Sequence, residues 1–397
     1  MQSRVLKFLF FVGLTFTAGC GQQAVGFEDP PDFNSEAETD TGAEPEAPGE
    51  EFPKFIFEEV SDGVGSELID LQQLPDGRWL VASRAGELFL LTEELLVIDD
   101  ARIDGVDVAN DFGLQNIELS PDFSNTGEVY VYFTPGFPDP SPPCDVRRCA
   151  RLEKLELELG AEIEIRRREK VLDVPGVTTQ IGHYGGGMAF LGKDLFLATG
   201  DSGTSPIAPG DPQDDGSLLG KLLHLGPSGS VEVYAKGLRN PFTMTAGNGG
   251  LFIANVGAKT FEEINFAKRP GLNFGWPWNE GPTDVPGITG PIHGYAFQDT
   301  SFIDQDPEGE PVDAKTVIAG VFYQGPAYQG ALDHSLLYGE FFAGWVRALQ
   351  FDLSGEIVHD RHVAHFTGIT AMKVGRDGAI YAVSLFGSPR ILRLRDL

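Results

Sequence analysis

The residues best suited to proton chemistry in this chain lie in one stretch, IGHYGGGMAFLGKDLFLATGDSG, Ile181–Gly203. It opens with His183 and closes with Asp201. Met188-Ala189-Phe190 and Leu195-Phe196-Leu197-Ala198 read as two short strands turning around Gly192-Lys193-Asp194. His183 then stands at the mouth of one strand and Asp201 at the end of the next. Gly185, Gly186 and Gly187 carry no side chains, which leaves room for a ligand to approach the backbone beside the imidazole. The plainer reading is a glycine-bent strand entry with a hydrogen-bonded surface histidine. The rest of the chain decides between the two.

Of three cysteines, Cys144 and Cys149 fall together in PPCDVRRCARL. In an oxidising compartment a disulfide closing this short loop is expected, and no nearby histidine completes a metal set. The third, Cys20, follows a basic start (Arg4, Lys7), the apolar run Phe8–Phe16 and Thr17-Ala18-Gly19. That order reads as an export signal over residues 1–19. Its end resembles the bacterial lipobox, which makes Cys20 the lipidated residue, with the chain held on a membrane face of the cell envelope. By the same resemblance, Gly21 in place of an aspartate favours the outer membrane. Residues 20–52 continue as an acidic tether with neither lysine nor arginine from Gln22 to Phe52. Such a segment buries too little apolar surface to offset its ordering entropy.

The remainder, residues 53–397, is long enough for one large all-β domain. Fifty glycines and 27 prolines argue for many turns and against helices. A net charge of −30 is shared between tether and domain, which repels polyanions and argues against a nucleic-acid partner. One phrase recurs six times: apolar alternation, a glycine turn, then strand formers. It appears at Leu71–Leu91, Ile117–Thr134, Met188–Asp201 and Met244–Gly257. A poorer copy spans Val317–Gly325 with Ser335–Asp352, and the last is Ile369–Leu394. Six hairpin-rich units of this kind predict a six-bladed β-propeller.

Beyond HYGGG and ATGDSG come QDDGSLLGKLLHL (Gln213–Leu225), VYAKGLRNPF (Val233–Phe242) and FEEINFAKRPGLNFGWP (Phe261–Pro277). In this order they resemble the soluble quinoprotein glucose/sorbosone dehydrogenase family, six-bladed propellers of which some bind pyrroloquinoline quinone (PQQ) with calcium. The resemblance implies oxidation of a sugar or related alcohol, the hydroxyl proton passing to His183 while Asp201 orients the imidazole. It places Arg239 above the quinone, with Asn240 and Asp111 as further cofactor contacts. The calcium positions fall on the backbone oxygens of Gly257 and Ala258, with the Glu262 carboxylate nearby. Departures are equally visible. Alanine replaces the family's proline at Ala258, Phe342 stands where the family's lysine faces the quinone carboxylates, and the positions of the family's two last-blade arginines fall near Gly368 and Thr370. Arg347, Lys373 and Arg376 are the cations available to replace them. Trp276, Trp278, Phe274 and Tyr184 are candidates for stacking on sugar rings, and Trp276 equally for packing between blades. The competing reading is a non-catalytic propeller that binds a carbohydrate or a protein ligand. No C-x-x-C-H haem motif accompanies the chain, so the electron acceptor stays unassigned.

Overall fold

Strand-forming runs separated by glycine turns fold here into six antiparallel sheets, each built outward from an inner strand. The computed structural model describes residues 52–397 except 110, 137–138, 140–143, 145–147, 177–181, 204–211, 298–315 and 387–389. Cys20 and the tether as far as Glu51 lie outside the described residues.

The six inner strands are Leu68–Gln73, Leu114–Leu119, Gly185–Leu191, Pro241–Gly247, Val317–Tyr323 and Ile369–Val374. They neighbour one another around a closed ring, so the molecule is a six-bladed propeller. Each repeated phrase of the sequence supplies one blade, including the degenerate fifth. Blade 6 is completed by the first strand of the domain, Phe55–Asp62, which pairs antiparallel with Arg390–Asp396. Blade 3 carries an extra short strand, Leu272–Asn273, running parallel to Val231–Lys236.

The second strands of the blades, such as Trp79–Ser83 and Gly250–Asn255, are buried along their whole length, covered on both faces. Six buried clusters fill the six gaps between neighbouring blades. In the gap between blades 3 and 4, for example, Phe196 and Leu222 meet Leu251 and Ile253.

The inner strands share one irregularity: each has a bulge within its first few residues, at Leu68/Asp70, Leu114/Asn116, Gly185/Met188, Pro241/Thr243, Ala319/Val321 and Ile369/Ala371. A bulge leaves backbone groups unpaired within the sheet. Neighbouring blades take several of them up. The Ile117 N–H donates to Asp70, the Ala319 N–H to Thr243, and the Thr370 hydroxyl to the Leu68 carbonyl. These bonds join residues near the start of each strand, so the strands run the same way. The loops that precede them, with His183, Asp111 and Arg239-Asn240, therefore gather at one mouth of the channel.

Candidate active site

The approach to blade 3 sets the geometry. His183 takes a left-handed backbone (φ 53°), and its carbonyl accepts from the Ser202 N–H at 2.9 Å. This brings the imidazole back over the end of the neighbouring strand, where Asp201 lies fully buried. His183 Nδ1 is 3.0 Å from Asp201 Oδ1, and the Gly203 N–H donates to the same oxygen at 2.8 Å. The contact anticipated between His183 and Asp201 is thus formed.

The three glycines do something other than expose the backbone to a ligand. A Cβ on Gly186 would lie 2.8 Å from Gln115 of blade 2, and one on Gly187 would lie 2.8 Å from Met244 of blade 4. Neighbouring blades fill the space that the sequence suggested for a ligand. That expectation is corrected.

Arg239 reaches the site from the entry to blade 4. Its backbone N–H and that of Asn240 both donate to the side-chain oxygen of Asn255, at 2.9 and 3.1 Å. Asn255 in turn donates to the buried Glu263. The Arg239 guanidinium bonds the carbonyls of Val256 (2.9 Å) and Gly257 (2.5 Å) through Nη1 and contacts His183 Nε2 through Nη2 at 3.3 Å. Burial draws its pKa below the usual range, against the pull of Asp201, Glu262 and Glu280. Asn240 Oδ1 accepts from the Gly185 N–H at 3.3 Å, tying the two loops together. Asp111 joins from the entry to blade 2. Burial pushes its carboxyl up, while the charges of His183 and Arg84 draw it back. Phe242 packs against both the blade 5–6 and the blade 1–2 clusters, so its ring crosses the channel just inside the mouth.

Two of the three expected calcium donors, the Gly257 oxygen and the Glu262 carboxylate, are otherwise engaged. The Gly257 carbonyl carries the Arg239 guanidinium. Glu262 is fully buried and accepts the N–H groups of Gly257 (3.2 Å) and Val317 (2.9 Å), and burial lifts its carboxyl to about 8. Ala258 offers an N–H that a proline lacks, and that N–H donates to Glu280. Glu280 also accepts from Lys259 and Thr260, so one carboxylate closes the turn. Among the described residues no group of three His, Cys, Asp or Glu side chains is arranged to hold a metal. With the Gly257 oxygen and Glu262 taken, these two donors do not fit calcium.

The three replacement cations do not reach the mouth either. Arg347 lies on Trp345–Phe351, two strands out from the channel, and bonds Asp360. Lys373 sits near the far end of its strand with Glu118, and Arg376 follows at the far side. Phe342 packs against Phe341 and Phe386. Thr370 is used between blades, and the Gly368 N–H bonds the Phe341 carbonyl. Of the proposed sugar platforms, Tyr184, Phe274 and Trp276 are buried in packing, whereas Trp278 is 65% exposed. Cys144 and Cys149 form the expected disulfide.

Comparison with known proteins follows the same line. The Glucose / Sorbosone dehydrogenase family model matches residues 66–393. The HIPL2 protein of Arabidopsis thaliana is 27% identical over 232 residues, which is 46% of this chain and 31% of that protein's length. The PQQ-bound aldose sugar dehydrogenase of Streptomyces coelicolor superposes with a TM-score of 0.67 at 21% identity, covering 87% of this chain and 99% of that one. The apo form of the soluble aldose sugar dehydrogenase of Escherichia coli gives 0.69 at 19%, covering 87% and 100%. Those two likenesses establish the fold, and the family match spans most of the propeller: the chain belongs to the glucose/sorbosone dehydrogenase family.

Proposed function

We propose that this propeller oxidises a hydroxyl of a sugar or related alcohol at its mouth, with His183 as the base and PQQ as the cofactor. The contact of His183 with Asp201 carries the reading. A carboxylate at Nδ1 selects the Nδ1–H tautomer and leaves the Nε2 lone pair facing Arg239, ready for a proton. A hydroxyl that reaches Nε2 replaces the Arg239 contact, and its proton passes to the ring while its carbon becomes the carbonyl carbon. The guanidinium remains beside the oxygen and stabilises the negative charge that develops there. When bound, PQQ supplies the acceptor for the hydride leaving the same carbon. Arg239, a cation short of solvent, and Asn240 fit its quinone edge. No step runs through calcium, two of whose expected donors are engaged.

Titration of the purified protein with PQQ, with and without calcium, tests this together with sugar-dependent dye reduction. Binding that calcium does not strengthen is expected, with turnover abolished in His183→Ala. No binding at about 50 µM PQQ, a threshold near −6 kcal/mol, overturns the quinoprotein reading. The placement of Arg347, Lys373 and Arg376 away from the mouth favours a second reading, a non-catalytic propeller that binds a carbohydrate or protein ligand. Carbohydrate binding without turnover in the wild type selects it.

We also propose attachment to the cell envelope through lipidated Cys20, with the propeller in the periplasm or at the surface. Fatty-acid labelling that disappears in Cys20→Ser supports attachment; label retained in that variant excludes Cys20.

A further inference from the structure

Asp201 uses its second oxygen on a residue far along the chain. The indole N–H of Trp276 donates to Asp201 Oδ2 at 2.9 Å, in a buried setting. With His183 and Gly203 on Oδ1, both edges of the carboxylate are fixed. The same indole ring faces the Arg239 guanidinium, whose Cζ lies 5.6 Å from the ring centroid. One side chain therefore holds both partners of the imidazole.

The loop that presents Trp276 is itself braced. Gln213 and Asn273 exchange two side-chain amide bonds of 2.9 Å, and Gln213 Nε2 also donates to the Trp276 carbonyl at 2.7 Å. The Trp276 N–H bonds the Gly237 carbonyl at 3.0 Å, and the Gly275 N–H bonds Asn273 Oδ1 at 3.0 Å. A Cβ on Gly237 would lie within 3 Å of Asn273, Gly275 and Gln213. Three separate motifs, around Gln213, Lys236-Gly237 and Asn273–Trp276, thus converge on the placement of one indole.

We infer that Trp276 is a positioning residue: it locks the plane of Asp201, selects the His183 tautomer through it, and holds Arg239 over the mouth. A donor on Oδ2, opposite the contacts on Oδ1, holds the carboxylate against rotation about Cβ–Cγ. The consequence for turnover rests on the dehydrogenase reading; the consequence for the imidazole does not.

Two variants of the full-length protein separate the hydrogen bond from the bulk of the ring. Trp276→Phe shrinks the ring, whereas site-specific replacement of Trp276 by benzothienylalanine removes only the N–H. The first readout is the tautomer of neutral His183 from its ring ¹⁵N shifts, assigned by their loss in His183→Ala. Wild type is expected to show the Nδ1–H form, and both variants a mixture. The second readout is kinetic: kcat is expected to fall roughly tenfold with KM unchanged, a fraction of what a positioned base contributes. An unchanged tautomer in the benzothienylalanine protein overturns the inference, whatever happens to turnover. Absence of wild-type turnover removes the dehydrogenase reading, and the ring ¹⁵N shifts then decide the positioning role alone.

Discussion

Asp201 accepts from the N–H groups of Gly203 and Trp276 and pairs with His183 Nδ1. An asparagine there must aim its NH₂ at one of them, and only the imidazole can turn into an acceptor. That turn moves the ring proton to Nε2 and removes the base. Asp201→Asn is therefore expected to lower kcat by at least about 100-fold while the fold persists, measured by dye reduction beside near-ultraviolet circular dichroism. Activity within a few-fold of wild type would falsify the assigned roles. The pair was legible in the sequence because a strand hairpin brings its two ends together. Trp276 was legible as a residue but not in its role, because the contact depends on a loop returning 75 residues later. The bonding of the turn at Gly257-Ala258 was not legible for a related reason. Backbone groups leave no mark in a sequence, so the guanidinium on the Gly257 oxygen and the Glu280 carboxylate on the Ala258 N–H appear only in the fold.

At the scale of the strand, the recurring inner-strand bulge is the device that lets six sheets meet around one axis. Blade 3 shows how sharply it constrains residue type. Gly186 has φ 137°, a conformation strained for any residue with a side chain, and its missing Cβ leaves room for Gln115. Gly186→Ala is expected to destabilise the protein by roughly 1–3 kcal/mol, from backbone strain and overpacking together. Urea denaturation is expected to show a lower midpoint with an unchanged slope. Equal midpoints for variant and wild type would show that the bulge relaxes freely. The repeat of apolar runs and turns made the blades countable, since each phrase holds one or two hairpins whose signals are local. The closing strand Phe55–Asp62 and the parallel strand Leu272–Asn273 were not countable that way. Their partners lie far away in the chain, so no local periodicity marks them.

For the whole molecule, the decisive contacts are those that close the ring. Phe55–Asp62 completes the last blade, and Phe55 packs edge-on against Tyr328 at 5.6 Å. A chain cut after Asp62 loses that outer strand, and its cooperative melting transition is expected to disappear, whereas a chain beginning at Phe52 keeps it. Inside the channel a second closure joins blades 1, 2 and 6. Asp70 accepts the N–H groups of Leu71 and Ile117, and Lys373 bonds Glu118 at 3.2 Å and approaches Asp70 at 3.9 Å. Burial pushes the Asp70 carboxyl up to about 6, and Glu118 adds to it, although Lys373 and the two N–H groups oppose the shift. The folded state therefore binds this proton more tightly than the unfolded chain does. Stability from Asp70 is complete below about pH 4 and declines as pH rises through about 6, by up to ~3 kcal/mol in all. Lys373→Met leaves two carboxylates facing each other and should extend the decline to higher pH. At pH 7 it should cost roughly 2 kcal/mol, less than for a fully buried pair because the lysine side chain is 26% exposed. Asp70→Asn removes the titration itself. Urea midpoints between pH 4 and 7 are expected to fall for wild type relative to Asp70→Asn, and more steeply for Lys373→Met. Parallel curves for all three would mean that the channel carboxylates titrate as they do in the unfolded chain, and that the ring is closed by packing and strand pairing alone.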